Sequence, residues 1–490
     1  MAIFSYHNFM FPFQWRIDGY DDEVFSEQIS LSNIKYGIGK NWKRVSNPSG
    51  EKELNDLYNE RNYFYDFVHG ALYDKGCDTS LVRHYEREEP KHGGVTYVID
   101  CGDQGTYELK VGAINLNLYS TGVGVLSFYL YNDKYAEPKH VLKINQVGRR
   151  VFPPFIASVK FRGTIANSIE VKGLNSDLGY REDYLRYTNK MSNQPADFII
   201  NMIREVAGNI TLKPVIDDRM YVQCWYKNDE WTDIFCGDKF EDFLYGKQWY
   251  EFVFVDEYEG MTCQNETMQK RLIRKATYER WQKKGSLYGV TRYSMMYLTN
   301  QNTEKDASYL FSYFETMYAR MVELILVQKA SVLRFSAEVT NLSNMEVKRS
   351  FSGKVSSLYK EYIRFVNQIH FREISAQDQG IEMYQKLYNT MELGKHVEKL
   401  DAEIGELYNY VSLKEDHKSS NTMSLLTWIA TISVPMTVMA GIFGMNNDAF
   451  GQKLDDGLWY NYGWIQLAIV FGVTFFIFIG ILIIKKWRLK

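Results

Sequence analysis

The chain has 490 residues, a net charge of −3 and a pI near 6.3, a balance that gives no support to nucleic-acid binding. Its mean hydropathy of −0.35 is that of a globular protein. Its five cysteines form no Cys-x-x-Cys pair, which predicts reduced thiols rather than a zinc site. The first residues lack a basic segment followed by an apolar one, so we expect no signal peptide and a bulk that stays in the cytoplasm.

Strand-like sequence dominates residues 1–300. The run from Phe4 to Trp15 is aromatic, and Pro12 within it predicts an edge strand or a turn. Helices are predicted at 195–207 and 266–284. Short β-branched and aromatic runs predict further strands at 95–101, 106–111, 113–119, 124–131, 215–222 and 249–255. The pattern is that of an α+β cytoplasmic domain with an antiparallel or mixed sheet.

Residues 301–422 are predicted to form a long helical stalk. A capping-box-like start at Thr303–Asp306 precedes a long helix to about Val339. Further helices are predicted at 345–374 and from about residue 376 onward. The last helix carries apolar residues at coiled-coil spacing, namely Val397, Leu400, Ile404, Leu407 and Val411. Two interpretations stay open: packing within one subunit, or a stalk that self-associates around an axis.

Two uncharged stretches near the C-terminus predict transmembrane helices at 423–446 and 463–484. About 20 helical residues cross a hydrocarbon core of about 30 Å. The basic tail 485–490 predicts cytoplasmic N- and C-termini by the positive-inside rule, and hence a multi-pass protein of the inner membrane. The extracytoplasmic loop 447–462 has one Lys and three Asp, or +1 − 3 = −2.

One face of the first predicted span is neutral and mixes small, hydroxyl and apolar groups. It collects residues at helical spacing, namely Met423, Leu426, Thr427, Val434, Thr437 and Gly441. No acidic or basic residue lies inside either span, which argues against proton-coupled transport, including a zinc exporter. Pro435 lies mid-span, where it would kink the helix or free a carbonyl group.

The first span ends in Ala440-Gly-Ile-Phe-Gly-Met-Asn446, preceded by Ile429–Ile432 and Pro435–Thr437. With the two-span C-terminus and the long helix before it, this segment resembles the CorA family of magnesium channels. The resemblance implies a funnel-like homopentamer in which the first span lines the pore, so the neutral face described above becomes pore-lining. The second span would then lie outside the first.

The same resemblance assigns ion selection to Gly444, Met445 and Asn446. In such channels a ring of the motif Asn accepts a hydrated cation, with no direct metal ligation. Because Mg²⁺ releases its waters reluctantly, amide oxygens can select it through its hydration shell. Gly444, which has no side chain, would permit the tight approach at the pore mouth, and Met445 would have a packing role. The acidic turn of the family's loop is missing here. The residues expected to attract cations instead are Asp448, Asp455 and Asp456.

Two polar clusters stand out in the N-terminal half. Arg149 and Arg150 are adjacent and could grip phosphate oxygens bidentately. Asp217-Asp218-Arg219 lies in an apolar setting, where a carboxylate could accept from a ribose hydroxyl or a base edge. The alternative for each cluster is a salt-bridge set at a surface or between domains.

The N-terminal half contains Ser5–Phe13, Tyr119–Leu126, Arg149–Pro154, Asp217–Met220 and Tyr278–Trp281. By these segments it resembles the divergent CorA-like proteins found with type III CRISPR loci. That likeness implies a membrane effector of antiviral defence whose cytoplasmic domain binds a nucleotide second messenger made during phage infection. The two polar clusters would then hold the ligand.

Three hypotheses remain. The first is a CorA-like ion channel, not an enzyme, gated by an adenylated nucleotide. The second is a housekeeping uptake channel for Mg²⁺, Co²⁺ or Ni²⁺, gated by intracellular Mg²⁺ at Asp217 and Asp218 or at Glu398 and Asp401. The third is a membrane-anchored enzyme. The expected partners are the lipid bilayer, further copies of this chain and a small nucleotide. A divalent cation is the permeant or regulatory ion, and no covalent cofactor or nucleic acid is expected.

Overall fold

The computed structural model describes residues 3–18, 29–34, 41–46, 60–152, 165–175, 179–186, 195–208, 210–237, 246–257, 262–344 and 349–444, with Gly472. Internal contacts divide the chain into a first unit, Met1–Leu407, and a second, Tyr408–Lys490. The loop 447–462, the tail 485–490 and, Gly472 apart, the predicted span 463–484 lie outside the described residues.

Thirteen strands of the described residues form one mixed sheet in the first unit. They are β1 Ser5–Ile17, β2 Trp42–Arg44, β3 Val82–Arg87, β4 Thr96–Asp100, β5 Thr106–Tyr119, β6 Val123–Asn132, β7 Ser168–Lys172, β8 Arg181–Asp183, β9 Ile210–Pro214, β10 Tyr221–Lys227, β11 Thr277–Tyr278, β12 Ser286–Val290 and β13 Ser294–Thr299. The order is β11-β12-β13-β10-β1-β6-β5-β4-β7-β8, with β9 also beside β1, and β2 beside β3, which pairs with β5. The described neighbours are antiparallel except β10 and β13, which are parallel.

Strand β1 lies inside the sheet, so the prediction of an edge strand from Pro12 is wrong. On one side β1 pairs with β6 from Ser5 to Gln14. On the other side β10 pairs with it as far as Met10, and β9 pairs from Phe13 onward. Pro12 therefore falls in the interval between two partners, where that side of the ladder needs no N–H from it.

Helices cover both faces of the sheet. Among the described residues before 277 they include α1 His69–Leu72, α2 Pro138–Gly148, α3 Asp197–Ala207, α4 Asp229–Cys236, α5 Lys247–Phe254 and α6 Glu266–Ala276. On one face, residues of α2, α3, α4 and α5 share a core with alternate residues of β1, from Phe9 to Trp15. The opposite face carries Tyr6, which packs edge-on against Phe311 at 5.7 Å between ring centroids. The sheet is thus a central layer between two helical layers.

Two predicted strands are corrected by the structure. Of the predicted strand 249–255, residues 249–254 lie in α5, because Trp249, Phe252 and Val253 repeat at helical rather than alternating spacing and are all buried. The predicted strand 215–222 begins only at Tyr221, and the residues before it form an irregular approach to β10. The predicted strands 106–111 and 113–119 are one strand, β5, whose register shifts between Val111 and Ala113.

The long helix predicted from Thr303 to Val339 is interrupted. It is divided into α7 Gln301–Asp306, α8 Tyr309–Tyr313, a π-helical turn Phe314–Tyr318 and α9 Ala319–Ser343. At the π turn, the sheet residue Gln223 donates from Nε2 to the Phe314 carbonyl at 2.6 Å. A side chain that donates a hydrogen bond to a helix carbonyl competes with the regular backbone hydrogen bond to that carbonyl. Such competition favours a local π-helical turn.

The remaining helices are α10 Arg349–Gln368, α11 Asp378–Thr390 and α12 Leu393–Gly444. Helix α12 contains the boundary between the two units. Leu400 and Ile404 are each 1% exposed in the single chain, so these two coiled-coil positions pack within one subunit. No helix among the described residues has the length and hydropathy of a membrane span.

Candidate functional site

The two polar clusters predicted from the sequence meet at one place in the first unit. Arg149 and Arg150 follow the end of α2, and Asp217–Arg219 lead into β10. Arg150 and Arg219 form an antiparallel β-bridge, and the Met220 N–H donates to the Arg149 carbonyl at 2.8 Å. Segments far apart in the chain are therefore held together by backbone hydrogen bonds.

Ion pairs connect the two clusters. Arg150 Nη1 lies 3.4 Å from Asp218 Oδ2. Arg219 reaches both carboxylates, with Nη2 at 3.0 Å from Asp217 and Nε at 3.4 Å from Asp218. Three arginines and two aspartates give the site a formal charge of +3 − 2 = +1. The salt-bridge alternative is thus observed, and it leaves one positive charge unmatched within the cluster.

The unmatched charge is centred on Arg149, which is only 2% exposed. Its Nη2 donates to the Val255 carbonyl at a long 3.4 Å. Among the described residues, its Nε and Nη1 have no hydrogen-bond partner. Val255 itself has a left-handed backbone, with φ of 53°, which is unusual for a β-branched residue. A buried guanidinium with open donors costs free energy unless an acceptor reaches it.

Tyr293 adds an aromatic ring to the cluster. Its ring centroid lies 5.9 Å from Arg149 Cζ and 5.5 Å from Arg219 Cζ. The side chain is 41% exposed, and the Tyr293 carbonyl accepts from the Val222 N–H at 2.9 Å. Tyr293 is not among the site residues predicted from the sequence. No local signal marks it, because its position depends on the parallel pairing of β10 with β13.

Burial and like charges shift the titration of the cluster. Burial, together with the Arg219 and Arg150 cations, lowers the pKa of Arg149 to about 9, so that the group stays protonated at neutral pH. Burial also lowers the pKa of Arg150, against the attraction of Asp218. Burial raises the pKa of Asp217. For Asp218 the hydrogen bond with Asp217 and the Arg150 cation outweigh burial, and its pKa is lowered.

The residues predicted to face a pore lie in the described part of α12. Met423, Leu426, Thr427, Val434, Thr437 and Gly441 are exposed in the single chain. The Thr427 and Thr437 hydroxyls each donate to the carbonyl four residues earlier, at 2.8 Å. Gly444 is the last residue of the helix. Met445, Asn446, Asp448, Asp455 and Asp456 lie outside the described residues.

The described residues contain no group of three or more His, Cys, Asp or Glu side chains placed to hold a metal ion. Asp217 and Asp218, which the second hypothesis offers as a Mg²⁺ sensor, each have an arginine within ion-pair distance. Because a guanidinium competes with a metal for the same oxygens, the geometry favours an anionic ligand over a cation here.

The helices that follow the sheet in the chain lead toward the Gly-Met-Asn motif and therefore concern the predicted pore. Residues 292–486 match the family of CorA-like Mg²⁺ transporter proteins. The matched segment begins at Arg292, next to Tyr293, and contains α7 to α12. It is less than half of the chain, and residues 149–219 of the candidate site precede it. No curated protein matches the chain.

This match supports the CorA resemblance of the C-terminal half. Members of the CorA family are channels or transporters of divalent cations, not enzymes, and they are embedded in membranes as oligomers. A CorA-like segment therefore follows a sheet of which the family match includes one described strand, β13.

Proposed function

We propose that the protein is a CorA-like ion channel gated from its cytoplasmic domain by a nucleotide second messenger, as a CRISPR-linked antiviral effector. The observation that carries the gating part is Arg149, buried with open donors beside two further arginines and an exposed tyrosine ring. An anionic group with an attached ring matches these features in charge and in shape.

Each part of a nucleotide has a candidate partner in the cluster. A phosphate oxygen would accept from the open Arg149 donors, which makes a charge-assisted hydrogen bond. The Tyr293 ring offers a stacking surface for a base. Asp217 or Asp218 would accept from a ribose hydroxyl, since Arg150 and Arg219 can exchange a carboxylate partner for a phosphate. The ligand would thereby replace some of the ion pairs that now hold the cluster.

For the pore we propose a homopentamer in the cell membrane with cytoplasmic termini. Residues 1–300 would sense the ligand, 301–422 would form the stalk, and 423–446 and 463–484 would be the spans. Asn446 of each copy would contact a hydrated cation, Mg²⁺ or another divalent ion, at the outer mouth. The acidic loop would raise the local cation concentration.

A second candidate function is housekeeping Mg²⁺ uptake gated by intracellular Mg²⁺. It is favoured by the description of the matched family, which is that of a Mg²⁺ transporter. The arginine partners of Asp217 and Asp218 weigh against this pair as the Mg²⁺ sensor. A membrane-anchored enzyme has the least support, because the matched family consists of transporters.

Calorimetric titration of the full-length, detergent-solubilised protein separates the two ligands. We expect ATP, diadenosine tetraphosphate or cyclic triadenylate to bind, and Arg150→Ala and Arg219→Ala to weaken that binding. Arg181→Ala is a matched control, because Arg181 is an exposed arginine of β8 that pairs with Glu170 at 3.7 Å and, among the described residues, forms no ion pair with the cluster. Binding of Mg²⁺ alone, with no nucleotide bound, would favour the housekeeping channel.

The pore is tested separately by ion flux into proteoliposomes. We expect Asn446→Ala to change the flux of Mg²⁺ and its selectivity over Co²⁺ and Ni²⁺, because the amide ring is lost. Leu425→Ala, on the same helix but outside the predicted pore-lining set, serves as a comparison that keeps the motif. Flux that is identical in wild type and Asn446→Ala would remove the pore assignment.

A further inference from the structure

The turn between β12 and β13, residues 291–293, has two adjacent side chains that contact different parts of the first unit. Tyr293 lies against Arg149 and Arg219 of the candidate site. The preceding residue, Arg292, leaves the sheet and contacts the junction between α11 and α12. A short turn therefore touches both the site and the start of the longest helix among the described residues.

Arg292 makes two contacts at this junction. Its Nη2 lies 2.6 Å from Glu392 Oε2, and its Nε donates to the Thr390 carbonyl at 3.4 Å. Thr390 is the last residue of α11, and Glu392 directly precedes α12. The arginine thus contacts residues on both sides of the junction between the two helices.

Glu392 has an unusual backbone at this point. Its φ is 54°, in the left-handed region that non-glycine residues seldom adopt. Its carbonyl accepts from the His396 N–H at 3.2 Å, which starts the hydrogen-bond ladder of α12. A strained residue persists only where its surroundings hold it, and the Arg292 ion pair is one such restraint.

The junction is also held from a second side. Lys329 of α9 donates from Nζ to the Met391 carbonyl at 3.2 Å and lies 2.8 Å from His396 Nδ1. Its pKa is lowered to about 8, first by burial and then by the Arg292 cation. The Arg292 and Lys329 cations thus hold different acceptors of the same short segment and repel each other, so a displacement of Arg292 changes the electrostatic field at Lys329.

The other end of α11 docks on the sheet independently of the site. Arg280 Nη1 lies 2.6 Å from Glu382 and Nη2 lies 3.4 Å from Asp378, while Trp281 Nε1 donates to Gln379 at 3.0 Å. Only the C-terminal end of α11 is held by the turn that also contains Tyr293. The N-terminal half of α11 is therefore held by residues outside the candidate site, and its C-terminal end is held by the turn that contacts that site.

We propose that the Arg292–Glu392 ion pair couples occupancy of the Arg149 site to the start of α12. A ligand that engages Tyr293 shifts the turn 291–293 and so changes the hold of Arg292 on Glu392. The change enters α12 at its first turn, and α12 continues in sequence to the Gly-Met-Asn motif. This inference rests on the proposed function, since it needs a ligand at the site and a pore after the helix.

The test uses the full-length protein in vesicles of phosphatidylethanolamine and phosphatidylglycerol, with cyclic triadenylate, diadenosine tetraphosphate and ATP as probes. We expect Arg292→Glu and Glu392→Arg each to leave the nucleotide Kd unchanged while reducing the nucleotide-dependent change in Mg²⁺ flux by about fivefold or more, the usual lower range of coupling between sites. The double variant, which restores the opposite charges, recovers the response. Arg181→Glu, an exposed arginine of another ion pair, alters neither readout.

The outcomes distinguish the two proposals. If wild type binds none of the nucleotides, the proposed function fails and the coupling fails with it. If nucleotides bind and Arg292→Glu responds like wild type, or the charge-swapped pair stays uncoupled, only the coupling is overturned. Arg292→Gln is measured in parallel, so that a misfolded Arg292→Glu, detected by its gel-filtration profile, does not decide the result.

Discussion

Arg87 and Arg149 are both buried in the first unit, yet their surroundings differ. Arg87 is fully buried and donates from Nε and Nη2 to Glu89, at 3.0 to 3.2 Å. Its Nη1 donates to the Tyr180 hydroxyl at 2.9 Å and to Glu205 at 2.5 Å. Arg149 has one long hydrogen bond, to the Val255 carbonyl, and its charged neighbours include two more arginines.

The difference separates an arginine whose charge is compensated within the chain from one whose charge is not. At Arg87 the chain itself supplies the carboxylates, so the charge is compensated in the folded protein. At Arg149 the carboxylates belong to Arg150 and Arg219, and the buried donors are left without acceptors. We infer that an anion from outside the chain completes the second site.

The largest effect is expected at the compensated arginine. Arg87→Ala removes the buried cation that Glu89 and Glu205 both contact, so we expect a loss of about 3–5 kcal/mol in the free energy of unfolding. Arg149→Ala removes an uncompensated charge and should cost no more than about 1 kcal/mol. Chemical unfolding followed by tryptophan fluorescence measures both. Equal losses in the two variants would contradict the distinction.

When nucleotide binding is measured instead of stability, Arg149→Ala should have a larger effect than Arg87→Ala. A charge-assisted hydrogen bond contributes about 1.5–3 kcal/mol, so loss of Arg149 should weaken nucleotide binding by roughly 10- to 100-fold. Arg149→Lys keeps the charge without the planar fork and should fall between wild type and Arg149→Ala. Calorimetric titration gives the Kd of each variant. A nucleotide Kd that Arg149→Ala leaves unchanged would remove the site.

A third buried arginine, Arg334, extends the comparison to pH. Burial raises the pKa of its partner Glu338 to about 7, helped by Glu361 and opposed by the Arg334 and Arg16 cations. Unfolded, this carboxyl returns to its ordinary value of 4.5. Its contribution to stability is therefore present below pH 4.5 and is lost as the pH rises through about 7.

Glu338→Gln should remove this pH dependence. We expect the stability of wild type relative to Glu338→Gln to fall by about 2 kcal/mol between about pH 5 and pH 8. The melting temperatures of the two proteins, measured across that range, give the difference directly. A constant difference in melting temperature would show that Glu338 ionises normally in the folded protein.

The smallest expected effect concerns the aromatic rim of the site. Tyr293→Ala should weaken nucleotide binding by about 1–2 kcal/mol, the lower part of the range of about 1–3 kcal/mol for stacking of a base on an aromatic side chain. Tyr293→Phe keeps the ring and should bind nearly as well as wild type. Titration of both variants separates stacking from a role of the hydroxyl, and equal weakening in both would assign the effect to that hydroxyl.

Local patterns in the sequence were enough to predict several of the strands and helices. Alternating aromatic and β-branched residues placed β4, β5 and β6, because side-chain period two reports a strand directly. The helix at 195–207 was also predicted, and Asp197–Ala207 is observed. Trp249 to Val253 misled the prediction, since a short apolar run fits a buried helix as well as a strand.

The candidate site, too, could be predicted from the sequence only in part. Arg149–Arg150 and Asp217–Arg219 could be found as unusual charges among apolar neighbours, because burying such groups is costly. That they share one site, with the Arg150–Arg219 bridge between them, could not be read from either segment. Tyr293 and the Arg292–Glu392 pair were not found at all, since nothing near them in the sequence departs from an ordinary turn or helix end.

The sequence by itself determined the strand-rich first part, the helical second part and the Gly-Met-Asn motif, because these depend on composition and on short-range periodicity. Only the tertiary structure decided that β1 is central despite Pro12 and that a π turn interrupts the long helix. It also placed the turn 291–293 beside Arg149 through the parallel pairing of β10 and β13. Such pairings depend on contacts between distant segments, which local preferences do not encode.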